Sequence, residues 1–155
     1  MKQLTLLFLV RENEVLLAMK KRGFGAGRWN GVGGKLDEGE TVEQALVREC
    51  QEEISVTPIT YDKAARIIFH EQHEGAKNTL EVHVFTCTQW QGEPTETEEM
   101  APQWFKLDAI PYDNMWPDDP FWLPQVLEGK LLDCEFELDE NDEIVSQSVQ
   151  EVNTL

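Results

Sequence analysis

Two apolar runs open the chain, residues 3–10 (QLTLLFLV) and 14–20 (EVLLAMK), separated only by Arg11-Glu12-Asn13. Runs of this kind bounded by a polar turn predict two strands joined as a hairpin. Residues 23–39 are rich in glycine and predict a loop. Residues 42–54 carry a helical period, with Thr41 at the N-cap position and Gln44 three places on, the pattern of a capping box. Strand-like runs recur at 64–70, 80–88 and 103–107, and the polar stretch 71–78 between the first two predicts a loop. A second helix is expected near Pro120, since proline is favoured at a first helical position and Asp119 can cap it. Residues 131–138 and 143–150 predict a last hairpin that turns at 139–142. Two helices against a mixed sheet make an α/β (α+β) fold, and 155 residues suit one domain over 1–155.

The first helix breaks its own pattern. With Val42 at zero and about 100° per residue, Leu46 falls at about 40° and Ala45 at about 300°, so this side faces the core. Glu49 at about 340° and Glu53 at about 20° lie in the same stripe, with Glu52 beside them at about 280°. Carboxylates resist burial unless paired. Like charges four residues apart repel, and anions near a helix C-terminus oppose its dipole. Arg48 offsets part of this through Glu52 or Glu40, but one cation does not balance the set. Oxygen-only ligands fit a hard cation, Mg²⁺ or Mn²⁺. The opposing reading is a solvated acidic face, which ought to lie opposite Val42 and Leu46 instead of in line with them.

Charge narrows the partners. The formal net charge is -17, which disfavours nucleic-acid polymers and anionic membranes. Yet Lys20, Lys21, Arg22, Arg28 and Lys35 place five of the 13 Lys and Arg residues within 16 positions. A local basic patch suits a small polyanion; a solvated charged loop is the plainer alternative. The three cysteines, Cys50, Cys87 and Cys134, show no metal-binding spacing and fit buried thiols in a reducing compartment, so a cytoplasmic location is expected. No apolar run approaches a membrane span, and 4–10 reads as a strand, not a signal peptide.

The stretch from Gly34 to Val56 resembles the Nudix box, G-x5-E-x7-R-E-U-x-E-E-x-G-U with U apolar. Gly34, Glu40, Arg48, Glu49, Glu52 and Glu53 fall in place; Ser55 stands where the final glycine is usual and Cys50 fills an aliphatic slot. The likeness continues through 20–35 (KKRGFGAGRWNGVGGK) and 115–119 (MWPDD), which are similar to the animal MutT-type branch of that family. The resemblance implies the Nudix fold, an α/β/α sandwich on a mixed central sheet. It further implies metal ligation by the Gly33 carbonyl, Glu49, Glu52, Glu53 and Glu99, with Mg²⁺ as cofactor and Mn²⁺ as a substitute. Arg48 and Glu40 are implied to hold helix and loop in register, and the catalytic set is Arg48, Glu49, Glu52, Glu53 and Glu99. The substrate set so implied is Thr5, Lys20, Phe24, Asn30, Val32, Gly33, Gly34, Lys35, Phe69, Trp116, Asp118 and Asp119. The activity implied is Mg²⁺-dependent hydrolysis of oxidised purine nucleoside triphosphates to the monophosphate and pyrophosphate; a monomer is the default expectation, which no residue pattern sets.

Adjacent carboxylates at Asp118 and Asp119, flanked by tryptophan and proline, suit a shared proton in a low-dielectric site. Such a pair accepts from a purine N–H and donates to O6, and an 8-oxopurine has an N7–H that guanine lacks. Against this, Asp119 before Pro120 also reads as a plain helix cap, and Trp116, Phe121 and Trp122 as core aromatics. His70, His73 and His83 stand singly and read as surface or core residues. Competing functions are a Nudix hydrolase of dinucleoside polyphosphates, ADP-ribose or capped RNA ends, a Nudix module that binds without catalysis, and an acidic Ca²⁺-binding protein. The full set of box acids weighs against the second, and the lack of an Asp-x-Asp-x-Asp-Gly loop against the third.

Overall fold

A computed structural model describes residues 1–155. The strands are β1 (Lys2–Arg11), β2 (Glu14–Lys20), β3 (Trp29–Asn30), β4 (Thr57–His73), β5 (Ala76–Gln91), β6 (Met100–Lys106), β7 (Leu132–Leu138) and β8 (Ile144–Glu151). The helices are α1 (Val42–Ile54) and α2 (Asp119–Leu127), with a 3₁₀ turn at Tyr112–Asn114. The strands run β3-β2-β1-β5-β4-β7-β8 across one sheet, and β6 pairs with β2 off that path. β1 lies parallel to β5 and β4 parallel to β7, while the other pairs are antiparallel, so the sheet is mixed.

The continuous apolar character of β1 and β2 follows from burial on both faces. Successive strand residues point to opposite sides. Phe8, Val15 and Leu17 pack with Trp122, Leu123 and Val126 of α2, and Leu7, Leu9, Leu16 and Ala18 pack with Leu46, Cys50 and Ile54 of α1. Each helix covers one face, which gives the expected sandwich.

The capping box forms as the sequence requires: Gln44 N donates to Thr41 Oγ1, and Thr41 N donates to Gln44 Oε1. At the other end Ser55 adopts the left-handed conformation, φ 62°, where the motif has glycine. Its N–H donates to the Gln51 carbonyl. Cys50 is fully buried, packing as a small apolar residue.

Four expectations change. β1 and β2 do form a hairpin, but they pair only at Val10–Val15 and Arg11–Glu14; the main partner of β1 is β5, because a strand buried on both faces sits inside the sheet. β3 lies inside the glycine-rich segment, where a loop alone is expected. Residues 71–78 are not a loop. β4 and β5 continue as a paired arm to a tight turn at Glu74-Gly75, both at positive φ. The arm projects past the core, so its polar side chains report exposure and not the absence of a strand. Asp119 does not cap α2. Asp118 holds the N-cap position without a side-chain cap bond, and both carboxylates are turned to other partners.

Candidate active site

The acid stripe of α1 meets the β1 side of the glycine loop. Glu53 is 3% exposed, and its Oε2 is buried without a hydrogen-bond partner. Burial raises its pKa to about 9, reinforced by a hydrogen bond and charge from Glu49 and by the charge of Glu99. Glycines make the approach possible. A Cβ on Gly34 would lie 2.7 Å from Glu49 Oε1, and a Cβ on Gly33 would collide with the Thr5 carbonyl. An orphaned carboxylate oxygen among converging acids suits a cation, and its all-oxygen donors fit a hard divalent one.

Arg48 organises the rim. Its Nε and Nη2 donate to Glu40 Oε2 and Oε1 at 2.7 and 2.9 Å, a two-pronged pair that holds Glu40 down to about 2. Its Nη1 donates to Glu49 at 3.0 Å and Glu52 at 3.3 Å, and its Nη2 also reaches the Lys35 carbonyl. Both partners named from the sequence, Glu52 and Glu40, are therefore used. Glu52 remains more than half exposed, whereas Glu49 is nearly buried. Glu99 sits on an exposed loop before β6, tied to the residue after β2 by the Lys21 N–H donating to its carbonyl.

Beside the acids a cavity of about 270 Å³ is lined by residues from distant parts of the chain. Of the sequence-derived substrate set, Thr5, Lys20, Phe24, Asn30, Gly33, Gly34, Phe69, Trp116, Asp118 and Asp119 line it. Val32 and Lys35 lie outside the lining: Val32 packs under α1, and the Lys35 backbone holds Arg48. Trp116 and Phe24 form an aromatic platform, ring centres 5.3 Å apart. Asn30 Oδ1 accepts from Gly31 N, leaving the Asn30 amide N–H groups for a ligand. Phe69 stacks on Phe136 at 5.6 Å, fixing it as wall.

Asp118 and Asp119 are 4% and 3% exposed. Asp118 Oδ2 accepts from Trp122 Nε1 at 2.8 Å, and Asp119 Oδ2 accepts from Trp116 N at 3.3 Å. Burial raises both pKa values, Asp119 the further because the Asp118 charge adds to it. Two adjacent buried carboxyls resist carrying two charges at once.

Three features have little or no signal in the sequence. Arg28 stacks on Trp116 at 4.1 Å, with one guanidinium nitrogen buried and unpartnered in the cavity wall. Its only sequence signal is membership of the basic cluster. Lys21 and Arg22 of that cluster pair instead with Glu96 and Glu98. Glu71, His73 and Asp142 gather at the cavity mouth, their ligand-type atoms within 4.8 Å of one another, and His73 also edges Phe24 at 5.8 Å. No local pattern links β4 to the turn before β8, so His73 reads as isolated in the sequence.

A helix bearing inward carboxylates, latched by one arginine beside a pocket with an aromatic platform, fits a hydrolase of the Nudix class. The chain belongs to the NUDIX domain family, whose sequence model matches residues 1–126. It is 45% identical over 150 residues to the oxidized purine nucleoside triphosphate hydrolase of Mus musculus, covering 97% of this chain and 95% of that one. The protein of the same description from Danio rerio is 46% identical over 154 residues, covering 99% and 97%. In fold it matches the MutT protein of Bacillus halodurans, with a TM-score of 0.84, 24% identity, and 97% and 98% of the two chains covered.

Proposed function

We propose that the protein hydrolyses oxidised purine nucleoside triphosphates, 8-oxo-dGTP foremost, to the nucleoside monophosphate and pyrophosphate, and so clears the cytoplasmic nucleotide pool of mutagenic precursors. One observation carries the choice of base: two adjacent carboxyls lie buried beside an aromatic platform, an arrangement that favours one shared proton over two charges. The ionised member accepts from a purine N–H while the protonated member donates to a carbonyl oxygen. The additional N7–H of an 8-oxopurine gives the acceptor a partner that guanine withholds. Near-full-length similarity to two enzymes described as acting on oxidised purine nucleoside triphosphates supports the same assignment.

Glu49, Glu52, Glu53, Glu99 and the Gly33 carbonyl would hold Mg²⁺. Bound there, it supplies charge neutralisation to the phosphates and acidity to water. The chain's own residues do the rest. Trp116 and Phe24 hold the base, and Lys20 meets a phosphate. Arg48 fixes Glu49, and Glu53 or Glu99 takes the proton of the attacking water. Water oxygen bonds to phosphorus as the bridging P–O bond breaks and pyrophosphate leaves. The whole chain acts as one Nudix domain and as a monomer, on a small molecule and not on a nucleic-acid polymer.

The test is pyrophosphate release in Mg²⁺ from 8-oxo-dGTP and dGTP side by side. A preference of tenfold or more, about 1.4 kcal/mol, is expected. Equal, slow rates would discard the Asp118–Asp119 assignment and turn attention to dinucleoside polyphosphates and ADP-ribose. No release at all would favour a binding module.

A further inference from the structure

The last carbonyls of a helix lack intrahelical partners. In α1 two of them are met by one loop: Thr97 Oγ1 donates to the Glu53 carbonyl at 2.8 Å, and Thr95 N donates to the Ile54 carbonyl at 3.0 Å. The Thr97 hydroxyl then works in the other direction. Its oxygen accepts from the N–H of Glu99 at 3.3 Å and of Met100 at 3.2 Å. One side chain thus joins the backbone of Glu53 to that of Glu99. Glu99 has few other restraints. Its side chain is exposed and lies 45 residues or more from every acid on α1. Its carbonyl accepts from Lys21 N at 2.9 Å.

We infer that Thr97 is a positioning residue of the metal site, a hydroxyl staple that sets Glu99 at a fixed distance from Glu53 so that loop and helix ligate one cation. The inference rests on the assignment of Glu53 and Glu99 as metal ligands. Valine keeps the shape of threonine and removes all three hydrogen bonds, and serine keeps the bonds and loses a methyl. A mere helix cap would cost stability alone; a staple also costs metal affinity, because groups that orient a metal's ligands typically contribute about 10–100-fold.

The experiment titrates Mn²⁺ alone into the full chain, followed by its electron-paramagnetic resonance signal, for wild type, Thr97→Val, Thr97→Ser and Glu99→Gln. Mg²⁺-dependent turnover is measured alongside. The expected result is a Mn²⁺ Kd raised about tenfold or more in Thr97→Val, a kcat lowered in step, a nucleotide KM within about twofold, and near-wild-type values in Thr97→Ser. If Glu99→Gln loses Mn²⁺ affinity while Thr97→Val binds as wild type, Thr97 only caps the helix and the inference is overturned. If Glu99→Gln itself binds Mn²⁺ as wild type, the ligand assignment has failed and the staple falls with it. Amide exchange in the wild-type protein decides the matter should Thr97→Val not fold. Slowed exchange at Glu99 and Met100 on adding Mg²⁺ supports the staple, and unchanged exchange overturns it.

Discussion

The Glu53 carboxyl lies buried with one oxygen unpartnered, its pKa raised to about 9 by burial and by Glu49. A carboxyl whose folded pKa exceeds its ordinary value of 4.5 destabilises the fold as pH climbs from that value toward about 9, since the folded state binds the proton more tightly. Glu53→Gln removes the ionisation and gives Glu49 an N–H donor. In EDTA at pH 7.5 its melting midpoint should rise, by about 2–4 °C for each kcal/mol relieved, while turnover falls roughly 10²-fold or more. A midpoint at or below wild type would show that the carboxyl is already satisfied. Asp118 and Asp119 make a second residue-scale case. Their pKa values are raised by burial, so the pair holds a proton to higher pH than free carboxyls do and loses it as pH increases. The KM of wild type for 8-oxo-dGTP should climb as that proton is lost. Asp119→Asn should have a KM higher by roughly tenfold at neutral pH and flat across it, and a profile parallel to wild type would rule the pair out as the titrating group.

At the scale of elements, α1 is defined by its ends. Thr41 satisfies the first turn, and Ser55 closes the last in a conformation that costs an L-residue about 1–2 kcal/mol. Glycine has no such penalty but loses more chain entropy on folding. Ser55→Gly should therefore gain a net of about 0.5–1 kcal/mol, or roughly 2–3 °C in the melting midpoint. A drop on calorimetry would mean that the serine side chain contributes something the backbone geometry does not reveal. The same helix is legible from its residues alone. Its period is local, its cap is local, and the acids in its apolar stripe contradict both unless something lies outside the chain. The arm formed by β4 and β5 is not legible in that way, because a polar strand beyond the core lacks the apolar alternation that marks a strand.

For the molecule as a whole, two aligned facts bear on metal response: a net charge of -17 and an acid cluster that Arg48 neutralises only in part. Mg²⁺ that binds only the folded protein stabilises it by about 1.4 kcal/mol at ten times its Kd. Thermal melts should rise with Mg²⁺ and return with EDTA, and an equal ionic strength of NaCl should not reproduce the effect. An identical rise in NaCl would assign the stabilisation to general screening. No helix is long and apolar enough to cross a membrane. The cavity is also a whole-molecule object. Thr5 comes from β1, Phe69 from β4, Arg28 from the glycine segment, and Trp116 with the aspartate pair from the approach to α2.

The sequence by itself determined α1, its caps, the acid register with Arg48 latched to Glu40, and the apolar runs that become β1 and β2. Each is written over short stretches of chain, within a few turns of helix or the pleat of one strand. Resemblance of longer stretches added the pocket residues without their arrangement. Tertiary structure alone decided that β1 lies parallel to β5, that Arg28 stacks on Trp116, that His73 meets Asp142, that Thr97 joins Glu53 to Glu99, and that Asp119 faces the cavity instead of capping α2. Most of these contacts bridge residues far apart in the chain and arise only when burial on both faces of one sheet brings the segments together, so no local period records them. The aspartate is the exception in distance but not in cause: capping and pocket-facing orientations are both available to it locally, and the packing of Trp116 and Trp122 selects between them.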